Sequence, residues 1–191
     1  MVPTAPFTVI VDSREQLPYS FAGIKSRTRD GEQKRMWVPT VTAALETGDY
    51  SIRGHEHDIV IERKTMPDLF NCCGNDRRRF EDELERLASI RSAHLMIEAS
   101  LGQIFSGAVA SKISRKSVVA SLLAWQARYH VHVWFGQTRA YSEWLTYQIL
   151  HRWHDDHVRR EAGEILEPGA AVLHEHQARV REHEHRCREA A

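Results

Sequence analysis

The chain reads as an α/β domain, a central mixed sheet flanked by helices, followed by a polar C-terminal tail that is helical or disordered. Three observations predict this. Apolar runs of strand length end on charged residues, as in Phe7–Val11 before Asp12 and Ile59–Ile61 before Glu62. The hydrophobic period changes at Met66, beyond which Phe80, Leu84 and Leu87 return at helical spacing. From His94 to Trp153 short apolar strands alternate with longer amphipathic stretches, the pattern of a sheet covered by helices.

Taken in order, Phe7–Val11 is a buried strand that stops at the polar Asp12-Ser13-Arg14. Residues 18–35 hold Pro18, Gly23, Gly31 and many polar side chains, and read as a loop. Met36–Ala44 is a second strand, and Tyr50–Ile52 and Asp58–Lys64 form a meander after the Gly48-Asp49 turn. Pro67 suits the first turn of a helix, because its missing N–H would have no partner there. The remaining elements are a strand at His94–Ile97, a helix at Ser117–Tyr129, a strand at Val131–Phe135 and a helix at Ala140–Trp153. Trp125, Trp134, Trp144 and Trp153 fall in these elements and are expected mostly in the core. After Trp153 there is no Phe, Tyr or Trp, and seven of the 12 His lie from His151 onward, so we divide the chain into a domain at 1–153 and a His-rich tail at 154–191. A further helix over Ala171–Arg188 would be polar almost all round.

Composition excludes several classes. At 191 residues and 42% hydrophobic, the chain has room for one sizeable core. Its longest apolar runs, such as that within Ser117–Trp125, fall short of the roughly 20 residues a membrane helix needs. Neither a membrane nor a secretory signal is expected, and a cytoplasmic setting follows. Three Cys, two of them adjacent (Cys72, Cys73) and one in the tail (Cys187), make no disulfide framework. Lys and Arg number 26 against 26 Asp and Glu, so any polyanionic partner must be met by local patches.

Three acidic positions stand out: Asp12 at a strand end, Asp49 in Gly48-Asp49-Tyr50, and Glu62 in Glu62-Arg63-Lys64. Side chains alternate along a strand, so Glu62 and Lys64 share a face while Arg63 points away. Asp49, delivered by the preceding turn, would put a second carboxylate beside Glu62 and make an oxygen-donor site suited to Mg²⁺ or Mn²⁺. With Lys64 to orient water or offset charge on phosphorus, these are the parts for metal-assisted phosphodiester hydrolysis.

At these residues the chain resembles a known family. Val11-Asp12-Ser13-Arg14-Glu15, Gly48-Asp49-Tyr50, Val60-Ile61-Glu62-Arg63-Lys64 and Asp68-Leu69 are similar, in order and spacing, to the motifs of the XPF-type nuclease domain. The likeness continues through Arg79-Phe80, Glu83-Leu84 and Leu95-Met96-Ile97-Glu98. It implies a restriction-endonuclease-like fold and a divalent-metal-dependent enzyme that cuts DNA, often at branched or flap structures, in repair or recombination. Residue by residue it implies that Asp49, Glu62 and the carbonyl of Arg63 hold the metal, that Lys64 acts on the water, and that Asp12 and Asp68 complete an acidic cluster. Arg14 and Arg63 would support the site or touch phosphate. Neither a tandem helix-hairpin-helix module nor a helicase is legible. We therefore expect a small member, like those of phages and prokaryotes, acting as a homodimer or with a targeting partner protein.

Arg77-Arg78-Arg79 would supply phosphate contacts beside such a site, although a run of three Arg is also what a solvated helix face looks like. Lys112, Arg115 and Lys116 are a weaker cluster at a helix start, where dipole grounds favour acids. His151, His154 and His157 have helical spacing, but interleaved Glu and Arg argue for a solvated tail over a zinc site. The alternatives are a Holliday-junction resolvase or duplex nuclease on the same fold, and a non-catalytic DNA-binding scaffold.

Overall fold

The computed structural model describes residues 2–27, 31–106, 109 and 111–165; the expected helix at 171–188 lies outside them. The strands are β1 (Val9–Asp12), β2 (Lys25–Arg27), β3 (Gln33–Arg35), β4 (Thr40–Ala43), β5 (Tyr50–Ile52), β6 (Ile59–Lys64), β7 (Ser92–Ile97) and β8 (His132–Phe135). The helices are α1 (Met66–Cys72), α2 (Arg77–Leu87), α3 (Leu101–Ser106), α4 (Arg115–Tyr129) and α5 (Arg139–Glu161). The chain divides into two compact units, Met1–His151 and Arg152–Ala191. Within the second, Trp153 stacks on His157 at 4.9 Å and His157 faces Glu161 at 3.4 Å.

In the first unit six strands form one mixed sheet in the order β4-β1-β5-β6-β7-β8. β5 runs antiparallel to both β1 and β6, whereas β4 is parallel to β1, and β7 and β8 continue parallel from β6. Ile59, Val60 and Ile61 are wholly buried, which is why β6 reads as an unbroken apolar run up to Glu62, which is polar but still buried. One face of the sheet packs Val60, Leu95 and Ile97 against Leu69, Phe80, Leu84, Val118, Leu122 and Trp125. Each such side chain contributes about 1.5–3 kcal/mol through burial. Elsewhere Phe7 stacks on Tyr147 at 5.9 Å. No helix among the described residues is long and apolar enough to cross a membrane.

Three expectations need correction. Residues 18–35 are not simply a loop, because β2 and β3 pair antiparallel as a separate ribbon. Its strands are built of charged, exposed residues held by backbone bonds, so no apolar alternation announces them. The second strand is only Thr40–Ala43, since Pro39 has no N–H to give a ladder. Of the four Trp, Trp125 is buried, but Trp134 and Trp144 are 37% and 41% exposed.

β7 and β8 also bury an ionisable group. The indole N–H of Trp134 donates to His94 Nδ1 at 3.0 Å, so His94 carries its proton on Nε2, 2.9 Å from Ser92 Oγ. Burial, then the neighbouring His132 ring at 5.1 Å, pushes the His94 pKa down to about 3 from 6.5. Between those values the unfolded chain takes up a proton that the folded chain refuses. Stability therefore falls as pH drops through this window, by up to about 1.4 kcal/mol per pH unit. Urea titrations at stepped pH check this, and His94→Gln, which keeps an acceptor and a donor, should flatten the slope.

Candidate active site

The site forms where β1, β5 and β6 end together. Gly48 makes the turn into β5 with φ of 78°, and a Cβ there would lie 2.5 Å from Val60 Cγ1, so both the backbone and the space call for glycine. Glu83 on α2 steadies this turn by accepting from Thr47 Oγ1 at 2.6 Å and from the Gly48 N–H at 3.4 Å. Asp49 N–H donates to the Ile61 carbonyl at 2.9 Å and its own carbonyl accepts from Asp12 N–H at 2.8 Å. The turn is thus tied to β1 and β6.

Asp49 Oδ2 accepts from the Arg63 N–H at 2.7 Å, capping the β6 edge just past the last pair with β5. In an extended strand the carbonyl of a residue faces the same edge as its N–H, so Arg63 O lies on the Asp49 side. Glu62 is 6% exposed and its Oε1 accepts from Lys64 Nζ, with the two side chains on one face of β6 as alternation predicts. Burial, then the charge of Glu62, raises the Asp49 pKa above the carboxylate range, and burial also raises that of Glu62 against the pull of Lys64. Burial opposes the charge on Lys64, but Glu62 outweighs it and holds the amine as an ammonium, 5.0 Å over the Phe80 ring.

A pocket of about 180 Å³ opens on this face, lined by Glu62, Lys64, Asp68, Asp76, Arg79, Phe80 and Glu83. Across it a second hollow brings Arg14, Asp49, Lys64 and Asp68 to one rim. Asp68 is the third residue of α1, where it and Thr65 form a capping box with a Thr65 Oγ1 to Asp68 Oδ2 bond of 2.5 Å. Arg79 is exposed at the mouth and Arg78 is exposed beside it.

Other expected site residues are placed differently. Asp12 is 2% exposed and both its oxygens are taken. Oδ1 accepts from Arg14 N and Nε at 2.8 Å each, and Oδ2 from Leu45 N at 2.7 Å and Arg14 Nη2 at 3.1 Å. Burial raises its pKa, but these donors lower it further. Asp12 therefore anchors Arg14 and the β1–β4 corner instead of joining an open acidic cluster. The Arg63 side chain points into a buried network, with Nη2 at 2.9 Å from Glu15 and Nη1 at 3.2 Å from Glu98. Arg77 donates to Ser121 Oγ at 2.8 Å, pairs with Glu81 at 3.0 Å and sits over Trp125, so it docks α2 on α4. Arg115 and Lys116 open α4 behind the Ser114 N-cap, and with Lys112 they line neither hollow. Cys72 and Cys73 are buried, and burial pushes their thiols up to about 12 and 11. Glu15, Glu83 and Glu98 stand in the motifs quoted above, but nothing local to them tells that they hold Arg63 or the turn.

Two carboxylates, buried Glu62 and half-buried Asp49, that repel each other fit a dication. Asp49 Oδ1 and Glu62 Oε2 have no protein donor among the described residues, and the Arg63 carbonyl faces the same edge. Among those residues no group of three or more His, Cys, Asp or Glu could hold an ion. Two carboxylate oxygens and a carbonyl are oxygen donors of the kind Mg²⁺ or Mn²⁺ takes, and Mg²⁺ binds through one or two carboxylates with water and substrate phosphate in its remaining positions.

Residues 11–149 match the family model described as the ERCC4 domain, so the chain belongs to that family. The fold and motifs together define an XPF-type nuclease domain. Among solved structures, the chain is similar to XPF from Aeropyrum pernix, with a TM-score of 0.59 and 19% identity over 80% of this chain and 69% of that one. It is also similar to XPF from Aeropyrum pernix in complex with DNA, at a TM-score of 0.55 and 21% identity over 78% of this chain and 66% of that one. No curated protein sequence matches it.

Proposed function

We propose that the protein is a divalent-metal-dependent DNA endonuclease that hydrolyses phosphodiester bonds, with branched or flap structures as its favoured substrates. The observation that carries this is the pair of carboxylates, half-buried Asp49 and buried Glu62, each with one oxygen that has no protein donor among the described residues, beside the Lys64 ammonium. Asp49, Glu62 and the Arg63 carbonyl would hold Mg²⁺ or Mn²⁺. When bound, such an ion activates an attacking water and offsets charge at the scissile phosphate.

The chain's own residues do the rest. Lys64, ion-paired with Glu62, would orient the attacking water or stabilise charge building on the phosphorus oxygens. Arg79 and Arg78, exposed on α2, would meet the DNA backbone, and Arg14 would do so from just beyond β1, its side chain 68% exposed and its guanidinium fixed by Asp12. Arg63 positions: its peptide orients Asp49, and its side chain is held by Glu15 and Glu98. The preference for branched DNA rests on family resemblance alone, while DNA as the substrate class is also supported by the DNA complex of the Aeropyrum protein. A second copy of the chain or a targeting partner would choose among DNA structures, in the cytoplasm.

The test incubates the purified full chain with labelled duplex, flap, fork and four-way-junction DNA under Mg²⁺, Mn²⁺ and EDTA. Cleavage should require the metal and be fastest on flap or fork. Fastest cutting of the four-way junction would favour a resolvase, and binding without cutting would favour a scaffold.

A further inference from the structure

The ribbon β2–β3 stands apart from the six-stranded sheet and carries a charge pattern that the fold does not need. Residues 25–35 hold five Lys and Arg against two Asp and Glu, in a chain whose total balances at zero. The register sets Lys25 opposite Arg35 and Arg27 opposite Gln33. Directly opposed residues of an antiparallel pair lie on one face, so Lys25, Arg27 and Arg35 share a face that holds no carboxylate in the described strands. All three are exposed, and among the described residues none of their side chains has an ion-pair or hydrogen-bond partner. Like charges placed directly opposite each other weaken a ribbon. Trp37, two residues beyond Arg35, is 62% exposed.

The ribbon is not a loose arm. Its roots, Ile24 and Met36, are 2% and 9% exposed and are joined by a Met36 N–H to Ile24 O bond of 2.9 Å. The segment leading to it from the active site is fastened along its length. Glu15 pairs with Arg63, Tyr19 stacks on Tyr50 at 5.0 Å and donates to Glu98 at 2.8 Å, and Phe21 N–H donates to Glu143. A cationic face is thereby held at a set place relative to Asp49 and Glu62.

We propose that this ribbon grips the phosphate backbone of a duplex arm flanking the cleavage site, through Lys25, Arg27 and Arg35. A two-stranded ribbon has the width to follow a duplex groove, and cations without partners release condensed counterions from DNA without first breaking ion pairs of their own. The proposal rests on the nuclease reading above and adds to it a second DNA contact that nothing in the catalytic motifs supplies.

The test compares wild type with the single variants Lys25→Gln, Arg27→Gln and Arg35→Gln and with the triple variant. DNA affinity is read by fluorescence anisotropy over a range of KCl in EDTA, and Tm is read in parallel. Each single change should lower the slope of log K against log salt by about 0.9, and the triple by about 2.7, for one phosphate contact per cation. Tm should hold or rise as the cross-strand repulsion goes. With saturating DNA and metal, the single-turnover cleavage rate should stay within about twofold of wild type, because the ribbon touches none of the reacting groups. As the duplex arm is shortened stepwise, wild type should converge on the triple variant. An unchanged salt slope in variants of wild-type Tm overturns the ribbon contact and leaves the nuclease reading standing. Wild type that binds DNA with the ribbon-dependent slope but never cuts leaves the contact standing and overturns the nuclease.

Discussion

Asp49→Asn will lose metal-dependent cleavage by on the order of 10³-fold, the scale seen when one group that holds charge in the transition state is removed. The substitution is nearly isosteric, and the amide oxygen can still accept the Arg63 N–H that now reaches Asp49 Oδ2 at 2.7 Å. What goes is one carboxylate from a pair in which burial first, and then the charge of Glu62, lifts the Asp49 pKa. The variant should be at least as stable as wild type, and in EDTA its DNA affinity should be equal or higher. Single-turnover cleavage at saturating DNA, with Tm and anisotropy beside it, separates these effects. A variant that cut at close to the wild-type rate would remove Asp49 from the reaction and with it the proposed metal site.

Arg63→Leu should destabilise the fold by about 3–5 kcal/mol, because removing one member of a buried ion network strands the others. The Arg63, Glu15 and Glu98 side chains are 8%, 5% and 10% exposed. Without the guanidinium, two carboxylates would face a low-dielectric interior, with Arg139 at 3.2 Å and the Tyr19 hydroxyl at 2.8 Å left on Glu98. A lower urea midpoint with an unchanged m value is the expected signature. Adding Glu15→Gln should recover part of the loss, since one stranded charge then disappears. A loss below about 1 kcal/mol would mean that water reaches the network and that its ion pairs behave as surface ones do. Activity should fall more than unfolding accounts for, because the Arg63 peptide orients Asp49 and the Glu15 pair ties the segment carrying Tyr19 to β6.

The hydrophobic pattern alone carried the α/β architecture, the helical change at Met66 and the shared face of Glu62 and Lys64. These depend on periods of two and 3.6 residues, which a linear sequence displays directly. The Gly48-Asp49 turn was legible for a similar reason, because a glycine at positive φ followed by a polar residue is a local signal. Element ends were less so. α5 begins at Arg139 and runs to Glu161, past the expected Trp153, since its last turns are polar and carry no apolar stripe.

Only the tertiary structure decided which charges are available for chemistry. Asp12 and Asp49 look alike in the sequence, each a carboxylate at a strand boundary. Leu45 N–H, from 33 residues away, helps fill the oxygens of Asp12, while Asp49 keeps one oxygen open. Arg63 and Arg77 look like phosphate contacts until Glu15, 48 residues distant, and Ser121, 44 residues distant, are found holding them. β2 and β3 appear only once their backbones pair, because exposed charged strands have no apolar face to display. Spacing determined where the acids, bases and apolar runs fall along the chain, which is enough for a fold class and a shortlist of residues. Desolvation and pairing depend on neighbours distant in sequence, so which of those residues stays free to act was settled only by the folded chain.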